Sequence, residues 1–443
     1  MVIRENRRKS LKWFNELSKL GSRPGLGTVS VLLGLMGDPQ KDLRCIHVTG
    51  TNGKGSTSVM ISTILEDAGY KVGLFTSPYL SSFTESIKVN GRDIELKIAE
   101  ELLGNIKTLS KKMVEAGQRH PTSFEVLTSM TFQYFSNSKV DYAVLEVGMG
   151  GRDDATNVVN AIVSIITNVS LEHTAWLGDT VEKIAEVKAG IVKNDSILVT
   201  AVKQPSVVQL LQKICDERNS KMYLVGRDIK VSRVEVNPSQ QRFNVQGIND
   251  SYVGVETKLI GEHQALNAAC AIGAIEALNQ HGAKIPKSSI MTGLSKATWP
   301  GRFETVQEKP LVILDGAKDL EAIKALKRTV NKLYRQRKIV TIVSISSDKN
   351  IPEMIKTLAS ITDTFIVTKH RVVNRTADIS TISSEIMKTG KPYKIANNAT
   401  QAIHEAYKLT DKNDLILITG SVFFIGEARE YWFPVHPIKS GYS

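Results

Sequence analysis

Cysteine is scarce in this sequence. The three residues, Cys45, Cys215 and Cys270, are widely spaced and odd in number. They form neither a disulfide framework nor a CxxC metal pair, so a reducing, cytoplasmic setting is expected. Long apolar runs are also lacking. Stretches such as Ala161–Ile166 have the length of a strand, far short of the ~20 residues a spanning helix needs. A membrane protein is therefore disfavoured. The charged stretch Met1–Leu20 has no apolar centre and does not read as a secretory signal. No low-complexity tract and no sequence repeat occurs, which excludes disorder as a reading of the whole chain.

What remains is an ordinary globular composition. The 443 residues are 42% hydrophobic and 23% charged. At roughly 150 residues per domain, that length implies two or three domains, or one large and one smaller. The net charge is +12, from 57 Lys and Arg against 45 Asp and Glu. The basic residues are dispersed, with only short runs at Arg4–Lys9 and Arg335–Lys338. That pattern favours a solvated surface or an anionic small-molecule partner over nucleic acid.

Short apolar runs alternate with amphipathic stretches. Strands are expected at Cys45–Thr49, Val72–Thr76, Asp141–Val147, Ala161–Thr167 and Ser196–Thr200. Helices are expected at Ser56–Ala68, Glu95–Ala116, Thr122–Phe135 and Val181–Lys193. This rhythm predicts an α/β fold with a mostly parallel sheet and helices on its faces. Lys230–Ile260 is polar and β-branched, without helical period, and reads as a small antiparallel excursion before a helix at His263–His281. Pro300 and Gly301 interrupt the chain. The alternation then restarts, with strands at Leu311–Leu314, Ile339–Ile345, Thr364–Thr368 and Leu415–Thr419 forming a second, smaller α/β unit. The expected division is 1–297 and 298–443.

The most informative stretch is Gly50-Thr51-Asn52-Gly53-Lys54-Gly55-Ser56, spaced G-x-x-G-K-x-S between a strand and a helix. Glycines let backbone N–H groups converge on phosphate oxygens, and the helix N-terminus adds unpaired donors and partial positive charge. Lys54 is placed to reach terminal phosphate oxygens, and Ser56 offers a hydroxyl to Mg²⁺. Glu146 stands at the end of an apolar strand, where an acid is costly unless paired or bound to a cation. That strand end lies on the edge where open α/β sheets bind ligands. The next strand leads to Glu172-His173, and His173 is a candidate ligand opposite Glu146. Asp179 with Glu182 has the spacing of a capping box. Lys188 sits among small and apolar neighbours, not obviously facing solvent. Mg²⁺ prefers oxygen ligands, so His173 alone would not suggest that metal.

Together these stretches resemble the Mur ligase family, in its folylpolyglutamate synthase and dihydrofolate synthase branch. The matching segments are His47–Thr57, Ser77-Pro78, Phe124–Thr128, Glu146–Asn157, Thr167–Leu177, Glu186–Lys193, Gly261–Asn267, Trp299–Glu304, Asp315–Ala317, Ser346–Asn350 and Thr419–Gly426. They span nearly the whole chain in the family's order. The resemblance implies a P-loop mononucleotide-binding domain that takes ATP and pterin, followed by a Rossmann-like glutamate ligase domain. Its activity would join a pterin or folate carboxylate to L-glutamate through an acyl phosphate, with ATP and two Mg²⁺ ions. The resemblance places the ATP phosphates on Gly50, Thr51, Asn52, Gly53, Lys54, Gly55 and Ser56, and the rest of the nucleotide on Asn267, Arg302 and Asp315. It places the cations on Ser56, Ser77, Glu146, His173 and Lys188, the last carbamylated in the family. Lys54, Glu146, His173 and Lys188 would thus carry the chemistry. The acceptor would meet Thr122, Ser123, Phe124, Glu125 and Asp153, and glutamate would meet Lys318 and Ser421. A monomer without nucleic-acid or membrane partners is expected.

The sequence departs from the family pattern in four places. Asp315-Gly316-Ala317-Lys318-Asp319 stands for the usual Asp-Gly-Ala-His-Asn. Tyr79 stands for the histidine of Ser-Pro-His, Gly27-Thr28 for the Glu-Arg of Gly-Leu-Glu-Arg, and Asp153 for a common leucine. These positions concern the acceptor side and the second unit. A ligase acting on a different cofactor acid, or a nucleotide-binding module without turnover, stays open on the sequence.

Overall fold

A computed structural model describes residues 10–21, 23–372 and 375–434. The basic run Arg4–Lys9 lies outside the described residues.

The first sheet holds eight strands: β1 (Cys45–Thr49), β2 (Val72–Phe75), β3 (Ile87–Val89), β4 (Arg92–Asp93), β5 (Tyr142–Glu146), β6 (Ala161–Ile166), β7 (Ile197–Thr200) and β8 (Lys221–Leu224). Their order is β4-β3-β2-β5-β1-β6-β7-β8. All pairs are parallel except β2–β3 and β3–β4, which fold back as an antiparallel edge. β1 and β5 are buried along their whole length because both of their faces are covered. On one face Ile46, Val48 and Val144 meet Met60, Ile61 and Ile64 of the helix Lys54–Asp67 and the alanine-rich helix Glu262–Gln280. On the other face, Phe75, Ala143 and Leu145 meet Leu103 and Ile106 of the helix Leu96–Glu115, and Met130 of the helix Ser123–Ser138.

Register fixes where the site can be. Val48 of β1 pairs with Glu146 of β5 and with Ile165 of β6. The carboxyl ends of these three neighbouring strands therefore lie side by side, and the turns that follow them share one edge. β1 is flanked by β5 on one side and β6 on the other, the crevice where open parallel sheets take ligands.

Lys230–Val236, Gln241–Gln246 and Ser251–Thr257 (β9, β10 and β11) form the expected antiparallel sheet. After the helix Lys287–Lys296 the chain enters a third sheet. Its strands are β12 (Glu304–Glu308), β13 (Leu311–Asp315), β14 (Ile339–Val343), β15 (Thr364–Val367), β16 (Tyr393–Ile395) and β17 (Leu415–Thr419), ordered β12-β13-β17-β14-β15-β16. Only β12 is antiparallel to its neighbour. Ile323, Leu326 and Val330 recur at helical spacing on the helix Leu320–Tyr334 and bury against one face. Ile403, Phe424 and Ile425 cover the other.

The α/β class and mostly parallel sheets agree with the sequence. Two local expectations are corrected. The N-cap before Val181 is Thr180, whose hydroxyl accepts from the Lys183 amide at 3.2 Å, while Asp179 pairs with the Lys183 ammonium. The helix ends at Ala189 instead of reaching Lys193. Gly190 caps it there, packed so tightly on Arg152 that a side chain at that position would collide. Strands β3, β4, β8, β12 and β16 were not expected; they are short, and β3, β4, β12 and β16 are partly exposed. Among the described residues no helix is long and apolar enough to cross a membrane.

Candidate active site

The loop after β1 is built as its composition suggests. Gly53 caps the helix Lys54–Asp67 with φ of 85°, a left-handed conformation that favours glycine. A side chain there would also collide with Asn267 from the helix Glu262–Gln280. The loop is pinned from the β6 side. Asn168 Oδ1 accepts from the Asn52 amide at 2.9 Å, and the Asn52 carbonyl accepts from Thr167 Oγ1 at 2.6 Å and Asn168 Nδ2 at 2.9 Å. The Lys54 ammonium folds back to donate to the carbonyls of Gly50 at 3.0 Å and Thr51 at 3.2 Å. Burial lowers its pKa, and the nearby carboxylates of Glu172, Glu146 and Asp319 pull it back up in part. Ser56 is buried, and its hydroxyl accepts from Gln264 Nε2 at 3.3 Å. Gln264 in turn accepts from Asn267. Trp299 lays its indole against Gly55.

Glu146, the last residue of β5, is 4% exposed. Its Oε2 accepts from the Ser77 amide at 3.0 Å. Burial raises the carboxyl pKa, and the charges of Lys54 and Arg302 with the Ser77 amide offset that only in part. This carboxylate is short of positive charge.

The turn after β6 brings in a residue that sequence reasoning passed over. Glu172 is buried, and its Oε1 lies 3.2 Å from Lys318 Nζ and 3.3 Å from His173 Nε2. Burial opposes its charge, yet Lys318, His173 and Lys54 together hold the carboxyl well below the usual carboxylate range. His173 itself has φ of 50°, and its ring is turned to Glu172. The signal for Glu172 was weak: an acid in a polar loop acquires its role only from the lysine that approaches it.

Lys188 is 2% exposed on the helix Val181–Ala189, and no hydrogen bond or ion pair among the described residues reaches its amine. Burial, aided by the positive charges of Lys54 and Lys318, pushes its pKa down to about 7. The backbone of this helix presses on the glycine turn after β5, where the Arg152 amide donates to the Val187 carbonyl at 2.8 Å. Lys54, Glu146, Glu172, Lys188 and Lys318 thus share one electrostatic neighbourhood.

From the second unit, Asp315 ends β13 and accepts from the amides of Phe303 and Ala317, each at 2.9 Å. Burial raises its pKa against the counter-charge of Arg302, whose Nη1 donates to the Gly301 carbonyl. The other predicted residues are more scattered. Thr122 and Glu125 close on each other as a capping box, with Glu125 Oε2 accepting from the Thr122 amide at 2.7 Å and hydroxyl at 2.8 Å. Ser123 stays half-buried, and Phe124 reaches the turn after β5, with its ring against Gly148. Asp153 is exposed beside Arg152, and its carbonyl accepts from the Gly25 amide at 2.9 Å. The segment that carries Gly27-Thr28 thus comes up to Asp153 through Gly25. Ser421 is buried as the N-cap of the helix Val422–Arg429, and no hydrogen bond joins it to Lys318. A cavity of 410 Å³ opens between the helix Lys54–Asp67, Tyr79, Trp299, Arg302 and Val422.

Comparison with known proteins places this geometry. The Mur ligase middle domain matches residues 48–275, and the Mur ligase glutamate ligase domain matches residues 301–422. The Bacillus subtilis dihydrofolate synthase/folylpolyglutamate synthase is 35% identical over 425 residues, covering 94% of this chain and 97% of its own. A solved Mycobacterium tuberculosis folylpolyglutamate synthase complexed with ADP superposes with a TM-score of 0.90 at 31% identity, covering 97% of this chain and 100% of that one. E. coli FolC in complex with DHPP and ADP superposes with a TM-score of 0.85 at 27% identity, covering 95% and 97%. The chain belongs to the Mur ligase family, in the branch of dihydrofolate and folylpolyglutamate synthases, which are ATP-dependent glutamate ligases.

Proposed function

We propose that this chain uses ATP to activate the carboxylate of a pterin or folate acid and joins it to L-glutamate, releasing ADP and phosphate. The observation that carries this reading is the meeting of Lys54, Glu146, Glu172 and Lys188 on one sheet edge with Lys318 from a second unit. We take residues 1–297 as the ATP- and pterin-binding lobe and 298–443 as the glutamate lobe.

The residues fit Mg²⁺. Glu146 is a buried carboxylate short of counter-charge, the Ser77 amide is bound to it at 3.0 Å, and Ser56 and Ser77 carry hydroxyls that are hard oxygen donors. Among the described residues no three His, Cys, Asp or Glu side chains converge as a cage. That suits an ion held by one or two carboxylates and completed by phosphate oxygens and water. Ser56, Ser77, Glu146, His173 and Lys188 are the residues that would hold two such ions, with Lys188 as its carbamate. The neutral fraction of the Lys188 amine near pH 7 is a nucleophile for CO₂, and carbamate formation releases one proton and leaves an oxygen donor. Bound Mg²⁺ would offset negative charge on the phosphates and the incoming carboxylate.

The chain's residues then position the reaction. The amides of Gly50–Ser56 and the Lys54 ammonium hold the phosphates, while Asn267, Arg302 and Asp315 hold the nucleoside end. Phe124 and Ser123, with Asp153 and the neighbouring Gly25 at the rim and Thr122 and Glu125 fixing the helix start, orient the acceptor. An acceptor carboxylate oxygen forms a bond to the γ-phosphorus as the bond to the β-phosphate oxygen breaks. The glutamate amine, near Lys318 and Ser421, attacks the acyl carbon, phosphate leaves and the amine gives up its proton. Phosphoryl transfer needs mainly alignment and charge neutralisation, which these groups provide. Closure of the lobes keeps water from the acyl phosphate. The chain would act as a cytoplasmic monomer in folate biosynthesis and one-carbon metabolism.

The test is a panel of pterin acids with ATP, Mg²⁺ and L-glutamate, read by ADP release and product mass. ADP release that needs both a pterin acid and glutamate is expected. Turnover only with a different acid would identify another Mur-type ligase. ATP binding without acid-dependent turnover would leave a nucleotide-binding module.

A further inference from the structure

Beside the phosphate loop the two lobes touch through four polar side chains; elsewhere they meet through the Lys332–Glu262 ion pair at 3.2 Å and through Ile260 and Leu80, which pack against the second lobe's core. Lys318 Nζ meets the buried Glu172 carboxylate at 3.2 Å. Its neighbour Asp319 takes the Asn52 side-chain amide on both carboxylate oxygens, at 2.9 and 3.1 Å. Each end of this contact is rigidly mounted. Asp319 caps the helix Leu320–Tyr334, accepting from the Ala322 amide at 2.9 Å. Asn52 is tied through its backbone to Thr167 and Asn168, and Glu172 also holds His173. The helix start in one lobe is thus fastened to the phosphate loop and to the β6 turn of the other. Lys318 and Asp319 are adjacent and oppositely charged.

We propose that Lys318 and Asp319 are positioning residues, a polar clasp that sets the second lobe over the phosphate loop through Glu172 and Asn52. Two charge-bearing contacts, unlike an apolar seam, weaken with salt and exchange partners with an anion. This corner of the lobe interface, beside an apolar seam at Ile260 and Leu80, is therefore the part sensitive to ionic strength. A substrate carboxylate or phosphate arriving at Lys318 replaces Glu172, which then turns to His173 alone. This last consequence rests on the ligase reading; the clasp itself does not.

The experiment uses the full chain in solution. Small-angle X-ray scattering is recorded without nucleotide at about 50 mM and about 500 mM KCl, where the screening length falls severalfold. The wild type should expand at high salt. Lys318→Met and Glu172→Gln should each be expanded at low salt, and the double variant no more than either single one. Lys318→Arg, which keeps the charge, should restore the compact form, as should the exchange Glu172→Lys with Lys318→Glu. In turnover, Glu172→Gln, which removes no group assigned to a substrate, should raise KM for ATP roughly tenfold with a smaller fall in kcat, the pattern of lost positioning in the ground state. Scattering curves indifferent to salt in the wild type, or additive expansion in the double variant, would overturn the clasp. Circular dichroism separates opening from unfolding, and Asp319→Asn offers a milder variant expected to weaken the salt response. The predicted scattering changes in a protein without acid-dependent ADP release would sustain the clasp and sink only the ligase reading.

Discussion

Replacing Lys188 with methionine is expected to stabilise the folded protein while ending turnover. Methionine has a similar length and no charge, and the lysine amine it replaces makes no hydrogen bond or ion pair among the described residues. The ammonium form is therefore disfavoured by burial, which the more distant carboxylates of Glu172 and Asp154 offset only in part. The pKa moves from an ordinary 10.5 to about 7. At about 1.4 kcal/mol per unit, the folded state loses about 5 kcal/mol relative to the unfolded chain when the amine is protonated in both. Between pH 7 and 10 the unfolded chain keeps its proton and the folded chain does not. Stability of the wild type from this group then rises with pH, by about 1.4 kcal/mol per unit. The advantage of Lys188→Met should be greatest below pH 7, still about 4 kcal/mol at pH 7, and down to about 1 kcal/mol at pH 10. Urea midpoints measured at pH 6.5, 8 and 9.5 in CO₂-depleted buffer read this directly. A methionine variant that is less stable at pH 6.5, or an advantage that does not change with pH, would refute the reasoning. With bicarbonate and Mg²⁺ present, intact mass should show the carbamate on the wild type and not on the variant.

Two further substitutions probe the strand ends. Glu146→Gln keeps an oxygen to accept from the Ser77 amide but removes the under-compensated charge. Turnover should fall about a hundredfold or more and Mg²⁺ should bind more weakly by calorimetry, with the melting temperature unchanged or higher; full turnover would contradict the role given to this carboxylate. In Gly148→Ala the new methyl would stand 2.5 Å from the Phe124 ring. The ring must move, so KM for the pterin acid should rise about tenfold with ATP affinity unaffected; an equal effect on both substrates would place Phe124 elsewhere than the acceptor side.

The phosphate loop was legible because its cues are local: a strand, glycines, Lys54 and a helix start in immediate succession. Glu146 was legible because an acid at the end of an apolar strand needs a reason. Lys188 drew notice through its apolar neighbours, though its meaning came from the family resemblance. Glu172 was not legible, since its neighbours Leu171 and Thr174 are exposed and nothing nearby announces burial. The pairing of Asp319 with Asn52 was equally hidden, because an aspartate before a helix reads simply as a cap. Thr180 displaced Asp179 as the cap because only one of two adjacent polar side chains can face the free amides.

Sequence alone determined the alternation of the central strands with helices, the parallel character of the main sheets and the presence of a phosphate-binding turn. Those features follow from side-chain periodicity and backbone freedom, which act over a few residues. Tertiary structure decided which charges meet. Glu172 is held ionised by a lysine from the other lobe, and Lys188 loses its proton near neutrality through what packs around it. Desolvation and Coulomb energy depend on distance in space, and no stretch of sequence encodes that by itself.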